Sequence, residues 1–299
     1  MFNTKKSSII IYIFIIFPIF MGFLLVFLFG TNLPYWDDWR NVSLLEKLHS
    51  GNIVFSDLFA QHGDHRLLFP RIIMLLLAVI TKYNNLAEMY FIQFLFLLSL
   101  TIIFIKLKKE HCFNIRKIPI WFLPVPLLIF SWRQFQVMLW GFAIAFVMIL
   151  SIALLTFYFI DLFYKKYELE NKKFRKYLYF IFAAVCASII SFSGPMGLLV
   201  WITGVFQIII LSNKISKRVG HIITWLVLGC LEWILYFFNY YKPKNHPSIF
   251  YFLSDPLDFI HSFFVILGSS LYWDKEIAFA VGILIVILLV ISVFYVYKN

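Results

Sequence analysis

Charge is what this chain has least of. Only 14% of its 299 residues are charged, with 15 Asp and Glu against 26 Lys and Arg, where a soluble globular chain carries about 25%. A water-facing shell of ordinary composition is therefore excluded. Cysteine is scarcer still, 3 in all. Cys112 falls in a basic stretch and Cys186 and Cys230 in apolar ones, an odd set that builds neither a disulfide framework nor a zinc site. There is no H-E-x-x-H pattern, no internal repeat and no low-complexity linker, so no dedicated metal site, solenoid or tethered module is expected. The +11 balance forms no basic stripe outside short loops, and this excludes nucleic acid as a partner.

What is present is apolar: 62% of residues are hydrophobic and 21% aromatic. Several runs approach or exceed the roughly 20 residues needed to cross a bilayer. The composition predicts an all-α, polytopic transmembrane helical bundle of about 8–10 membrane helices, a single integral-membrane domain over residues 1–299. Residues 1–29 hold a retained first span, too long for a signal-peptide core. Residues 30–71 form an outer loop, and 72–299 the remaining bundle. The basic residues gather in three short loops: Lys106 to Lys117, Lys165 to Lys176 and Lys214 to Arg218. Such loops mark the cytoplasmic face, which places the chain, multi-pass, in a cell membrane. The excess of Ile, Phe, Lys and Asn points to an AT-rich bacterial genome and hence to a bacterial inner membrane. Leu67–Ile80 is short and carries Pro70 and Arg71. If it crossed fully, the Lys106–Lys117 loop would lie outside, so a re-entrant segment is preferred. Ile118–Phe130 is broken by Pro119, Pro124 and Pro126.

Polar chemistry concentrates between Tyr35 and Arg71, in Y-W-D-D-W-R at Tyr35–Arg40 and Q-H-G-D-H-R at Gln61–Arg66, closing with F-P-R at Phe69–Arg71. Asp37 and Asp38, flanked by Trp36 and Trp39, are the candidate general bases, because apolar flanks raise a carboxylate toward the working pH. Adjacent residues point differently, so one Asp is expected to react and the other to orient or bind. His65, Arg66 and Arg71 are candidate phosphate ligands, since guanidinium forks match phosphate geometry. Trp39, His62, Asp64, Arg133 and Gln136 are candidate sugar or acceptor contacts, rings stacking on sugar faces and amides bonding hydroxyls. Glu232 is a lone carboxylate within an apolar span. No metal ligand set is assigned. A divalent cation, magnesium or manganese, is the only cofactor these carboxylates would admit, and no motif calls for one.

A first span followed by an outer loop with an Asp-Asp pair resembles the GT-C class of integral-membrane glycosyltransferases. The H-x-x-H-R-x-x-x-P-R segment, W-G-F at Trp140–Phe142 and S-G-P-M-G-L-L-V-W from Ser193 are similar to uncharacterised bacterial membrane proteins of that type. The resemblance implies transfer of a sugar from a polyprenyl-phosphate donor to a glycan, lipid or protein acceptor on the outer face. Asp37 or Asp38 would then be the base, and Arg66 and Arg71, with His65, would hold the donor phosphate. Against that class the chain reads as short, and no soluble C-terminal domain is expected. A transporter or flippase for a lipid-linked glycan, and a non-catalytic component of an envelope-assembly complex, are the rival readings.

Overall fold

The computed structural model describes residues 4–110, 118, 120–169, 173–211, 215–244 and 251–298. Cys112, Arg116, Lys117, Lys172, Lys214 and His246 lie outside them. Helix makes up 82% of the structure, and among the described residues strand is confined to two residues on each side of one turn. Among the described residues, five helices are long and apolar enough to cross a membrane, over Ile11–Phe29, Asn85–Glu110, Gly141–Lys165, Arg218–Phe237 and Lys275–Ser292. This is the architecture of a multi-pass membrane protein, in which every backbone polar group of a span is satisfied within its own helix. Four shorter apolar helices accompany them.

The chain divides into two compact units, Met1–Tyr241 and Lys242–Asn299. In the first, α1 (Thr4–Phe29), α2 (Asp38–His49) and α3 (Phe55–Phe59) precede a small hairpin, β1 (Gln61–His62) with β2 (His65–Arg66). Then come α4 (Leu68–Thr81), α5 (Asn85–Glu110), α6 (Pro124–Ile129), α7 (Phe135–Met138) and α8 (Ile144–Leu169). The unit ends with α9 (Lys173–Ser191), α10 (Leu199–Leu211) and α11 (Ile215–Phe237).

Cross-contacts fix which helix ends lie together. The Asn85 N–H donates to Asn32 Oδ1 at 2.8 Å, and a side chain at Gly30 would meet Leu86. Helix α5 therefore starts beside the point where α1 stops. At the opposite end, Lys165 Nζ of α8 lies 3.9 Å from Glu110 of α5, and Lys109 donates to the Tyr158 hydroxyl at 2.9 Å. Between these ends the Ser99 and Ser151 hydroxyls meet at 2.9 Å in a buried bond. Helices α5 and α8 thus run parallel, and residues 118–140 must return the chain between them. They do so in pieces: Ile118 and Phe122 pack in the same core cluster as Leu100, Phe130 packs on Phe96, and Trp140 reaches Tyr35. The prolines forbid one continuous helix here.

Helix α4 has only 14 residues, about 21 Å of rise, against a hydrocarbon core of about 30 Å. Asn41 of α2 donates to Met74 Sδ in its middle, at 3.1 Å, and the turn after it delivers Asn85 to Asn32. It therefore begins and ends on the side where α1 stops. The basic stretch at Lys106–Glu110 accordingly sits at the same end of the bundle as Lys165, and the Asp-Asp loop at the other.

In the second unit, α12 (Tyr251–Ser254) leads into α13 (Pro256–Ser269) and α14 (Lys275–Lys298). The α13–α14 hairpin closes on Gly268 and Gly282, where a Cβ would lie 1.8 and 1.9 Å from the Ala278 and Phe264 carbonyl oxygens. Small residues let helices approach to backbone contact, the usual means of association where lipid removes the hydrophobic drive.

Candidate functional site

The loop after α1 turns at Trp36, a non-glycine residue with φ of 51°. That left-handed conformation costs energy unless its surroundings hold it. Here they do: the Trp36 ring stacks on Trp140 at 5.8 Å, and the Trp140 indole N–H donates to the Tyr35 carbonyl at 3.3 Å. The turn separates the two carboxylates. Asp38 points inward, 2% exposed, its Oδ2 accepting the Tyr35 N–H at 3.0 Å. Asp37 stays at the surface, part-exposed.

Asp37 Oδ1 lies 3.3 Å from Nε2 of His62, whose side chain is buried. The imidazole rests on the Phe142 ring at 4.9 Å, and Phe142 stacks in turn on Trp140 at 5.5 Å. Burial pushes the His62 imidazole down to about 4, with the Arg40 charge acting in the same sense and the Asp37 carboxylate opposing it. At neutral pH the ring is uncharged. It can then donate its single N–H to Asp37 and leave the other carboxylate oxygen for an incoming hydroxyl. Burial also raises Asp38, the main cause, with the Asp37 charge adding to it. The Tyr35 and Phe142 N–H groups oppose that rise, although Oδ1 itself completes no hydrogen bond.

Arg66 of the hairpin and Arg71 of α4 act on the backbone. Arg66 is buried and donates Nε to the Tyr236 carbonyl at 2.5 Å, Nη1 to Phe59 O at 2.9 Å and Nη2 to Phe238 O. Its guanidinium also lies over the Phe59 ring. Arg71 donates Nη1 to the Leu58 carbonyl at 2.8 Å and to Ala60 O. Gln61 completes the clamp, exchanging two hydrogen bonds with the Tyr241 backbone. These residues tie the hairpin to the end of α11 and to α3, a use of the charged fork that the spacing of H-R-x-x-x-P-R does not announce. Three of the five N–H groups of Arg66 are committed in this way.

Of the other sequence candidates, Trp39 is exposed on α2. Asp64 Oδ1 stands 3.1 Å from His65 Nδ1, both part-exposed at the hairpin turn. Arg133 and Gln136 are exposed on the short helical turns before Trp140. Glu232 faces Ser188 across α9 and α11.

Four residues of the site carry no earlier assignment. Arg40, exposed one helical turn from Asp37, acts electrostatically on His62; its place at i+3 from Asp37 was the available signal. Phe142 joins His62 to Trp140. Glu88 of α5 is 4% exposed and packs on Gly141, where a Cβ would lie 2.1 Å from its Oε2. A single acid in an apolar run is itself a signal. Tyr83 has a buried hydroxyl that meets no partner; burial first, then the charges of Glu88 and Asp38, push it up to about 12. Among the described residues, no group of three or more His, Cys, Asp or Glu is set to hold a metal ion. No family model, no curated protein and no solved structure matches this chain.

Proposed function

We propose that this chain is a GT-C-like membrane glycosyltransferase, taking a sugar from a polyprenyl-phosphate donor and giving it to an envelope glycan, lipid or protein on the outer face of a bacterial membrane. The observation that carries the reading is the Asp37–His62 pair, 3.3 Å apart, at the surface of an otherwise apolar bundle. Asp37 accepts the proton of an acceptor hydroxyl, whose oxygen then attacks the anomeric carbon. The bond from that carbon to the phosphate oxygen breaks, and the lipid phosphate leaves with the electron pair. His62, neutral, orients Asp37 through Nε2–H. Arg40 is the cation best exposed to meet the phosphate. The commitment of Arg66 to carbonyls gives it a scaffolding share in that task, with Arg71 beside it.

The reading is tested by comparing the envelope glycans of a deletion strain complemented with wild type, Asp37→Ala or Arg40→Ala. A sugar lost on deletion and restored only by wild type supports it. Restoration by Asp37→Ala removes that residue as the base.

One feature favours a second reading, a transporter of lipid-linked glycan. Asn85, Glu88 and Gln93 are buried along one face of α5, and the amides of Asn85 and Gln93 meet no partner. Buried polar groups of this kind line transport paths. Flipping of a fluorescent lipid-linked sugar in vesicles, without any bond being made, would favour it.

A further inference from the structure

We propose that Glu88 is a positioning residue: with Asp38 it forms a buried carboxyl pair that carries one proton and one negative charge in all, and fixes Trp140–Phe142 against the first loop. The inference rests on the reading of Asp37 as the base and explains how that base is kept in place.

The two carboxyls come from distant stretches, the first loop and the start of α5, and both are nearly sealed from solvent, at 2% and 4% exposure. Both abut the same two residues. Glu88 Oε2 occupies the space that a side chain on Gly141 would need, and the Phe142 N–H faces Asp38. Asp38 acts electrostatically on Glu88, and Tyr83 feels both. Among the described residues the ion pairs are Lys47–Asp57, His62–Asp37, His65–Asp64, Lys165–Glu110 and Lys165–Asp161; none reaches Asp38 or Glu88. The other titratable groups turned toward the pair are Asp37 from the loop and Tyr83 from the turn before α5. Arg40 acts on His62 instead. Two neighbouring buried carboxylates without a cation cannot both stay ionised, and one shared proton is the way such a pair is accommodated.

A polar cell surrounds them. Asp38 Oδ1, the Tyr83 hydroxyl and both amide atoms of Asn85 are buried and without a hydrogen-bond partner. Groups of this kind are costly to bury unless they serve one another or enclosed water. From Glu88 a line of contacts runs through Gly141 to Phe142, then to His62 and to Asp37. The state of the pair is thereby linked to the base. With one proton, the pair carries a single negative charge and the loop stays seated. With none, like charges repel across Gly141 and the stack of Trp36, Trp140 and Phe142 loosens.

The test is infrared spectroscopy of the purified protein in nanodiscs, reading the C=O band of a protonated carboxyl and its shift in heavy water. Wild type and Glu232→Gln are expected to show the band at neutral pH and to lose it on alkalinisation. Glu88→Gln, which keeps size and hydrogen bonding, is expected to lose it at neutral pH. A neutral-pH band missing from wild type, or missing from Glu232→Gln, overturns the proposal, as does a band that survives in Glu88→Gln. If Glu88→Gln does not fold, the spectra of wild type and Glu232→Gln decide alone. Where transfer is measurable, wild-type activity is expected to fall at alkaline pH, and Glu88→Gln should abolish that fall. A merely structural role would lower activity by one factor at all pH values. The band is read without substrate. A fully active Asp37→Ala therefore removes Asp37 as the base while the pair stands, and a missing band defeats the pair while Asp37 remains the candidate base.

Discussion

Folding changes the acid–base chemistry of His62. Its ring is held far below its ordinary value of 6.5, at about 4, so between those two pH values the unfolded chain binds a proton that the folded chain refuses. Stability from this source is complete above about pH 6.5 and is lost as pH falls toward 4, on the order of 3 kcal/mol in all. Thermal unfolding in detergent across that window should show the loss, and His62→Gln should flatten it; an acid limb unchanged in the variant would contradict the assignment. Asp38 has the opposite sign. Its value is raised, mainly by burial, so the folded state is favoured while Asp38 is protonated and that advantage disappears as pH rises through the raised value. Asp38→Asn keeps an acceptor for the Tyr35 N–H and removes the buried charge. It is expected to raise the unfolding midpoint at neutral pH. Asp37→Ala, at the part-exposed member, is expected to leave stability unchanged and cost transfer about 100-fold or more, the usual worth of a positioned base, read as product formed per unit of folded protein.

At the level of elements, the hairpin and W-G-F hold the loop, and each was only partly legible in the sequence. The crowding of polar residues at Tyr35–Arg40 and Gln61–Arg66 was plain against apolar flanks, and these stretches do meet, through Asp37 and His62. What the pattern did not reveal was direction. An arginine reads the same in sequence whether it faces a phosphate or three backbone carbonyls, and the partners of Arg66 lie at Tyr236 and Phe238, some 170 residues away. For the same reason W-G-F reads in sequence only as a motif, since the need for glycine at 141 comes from Glu88 of another helix. Arg66→Ala would leave buried carbonyls at the end of α11 unpaired and is expected to cost on the order of 3 kcal/mol. Arg66→Lys should recover only part of this, because one ammonium cannot reproduce the fork. Chemical or thermal unfolding of both variants checks the order. Gly141→Ala, which forces Glu88 aside, should disturb the circular-dichroism signature of the Trp36–Trp140 stack; an unchanged signal would show that the stack does not depend on that contact.

For the whole molecule, the membrane character was legible from composition alone, because the penalty for unpaired backbone in lipid leaves a 62% hydrophobic chain few alternatives. The path of the chain was harder to read. Residues 118–140 return across the bundle in proline-broken pieces, which no continuous apolar helix in the sequence announces, and α4 reads in sequence as a re-entrant segment with a short crossing as the rival. The contacts decide between these: Asn85 meets Asn32, so the turn after α4 stands beside the end of α1, and Lys165 approaches Glu110, so two basic helix ends stand together. Single cysteines at Asn84 and at Leu107, in a background with Cys112, Cys186 and Cys230 replaced, test this path with a membrane-impermeant maleimide on intact cells. Asn84→Cys is expected to label from the side of Asp37, and Leu107→Cys only after the membrane is opened. If Leu107→Cys labels in intact cells, α4 crosses the membrane, the Lys106–Glu110 stretch lies outside, and the outer surface gains a cationic cluster that would compete with Arg40 for any anionic lipid.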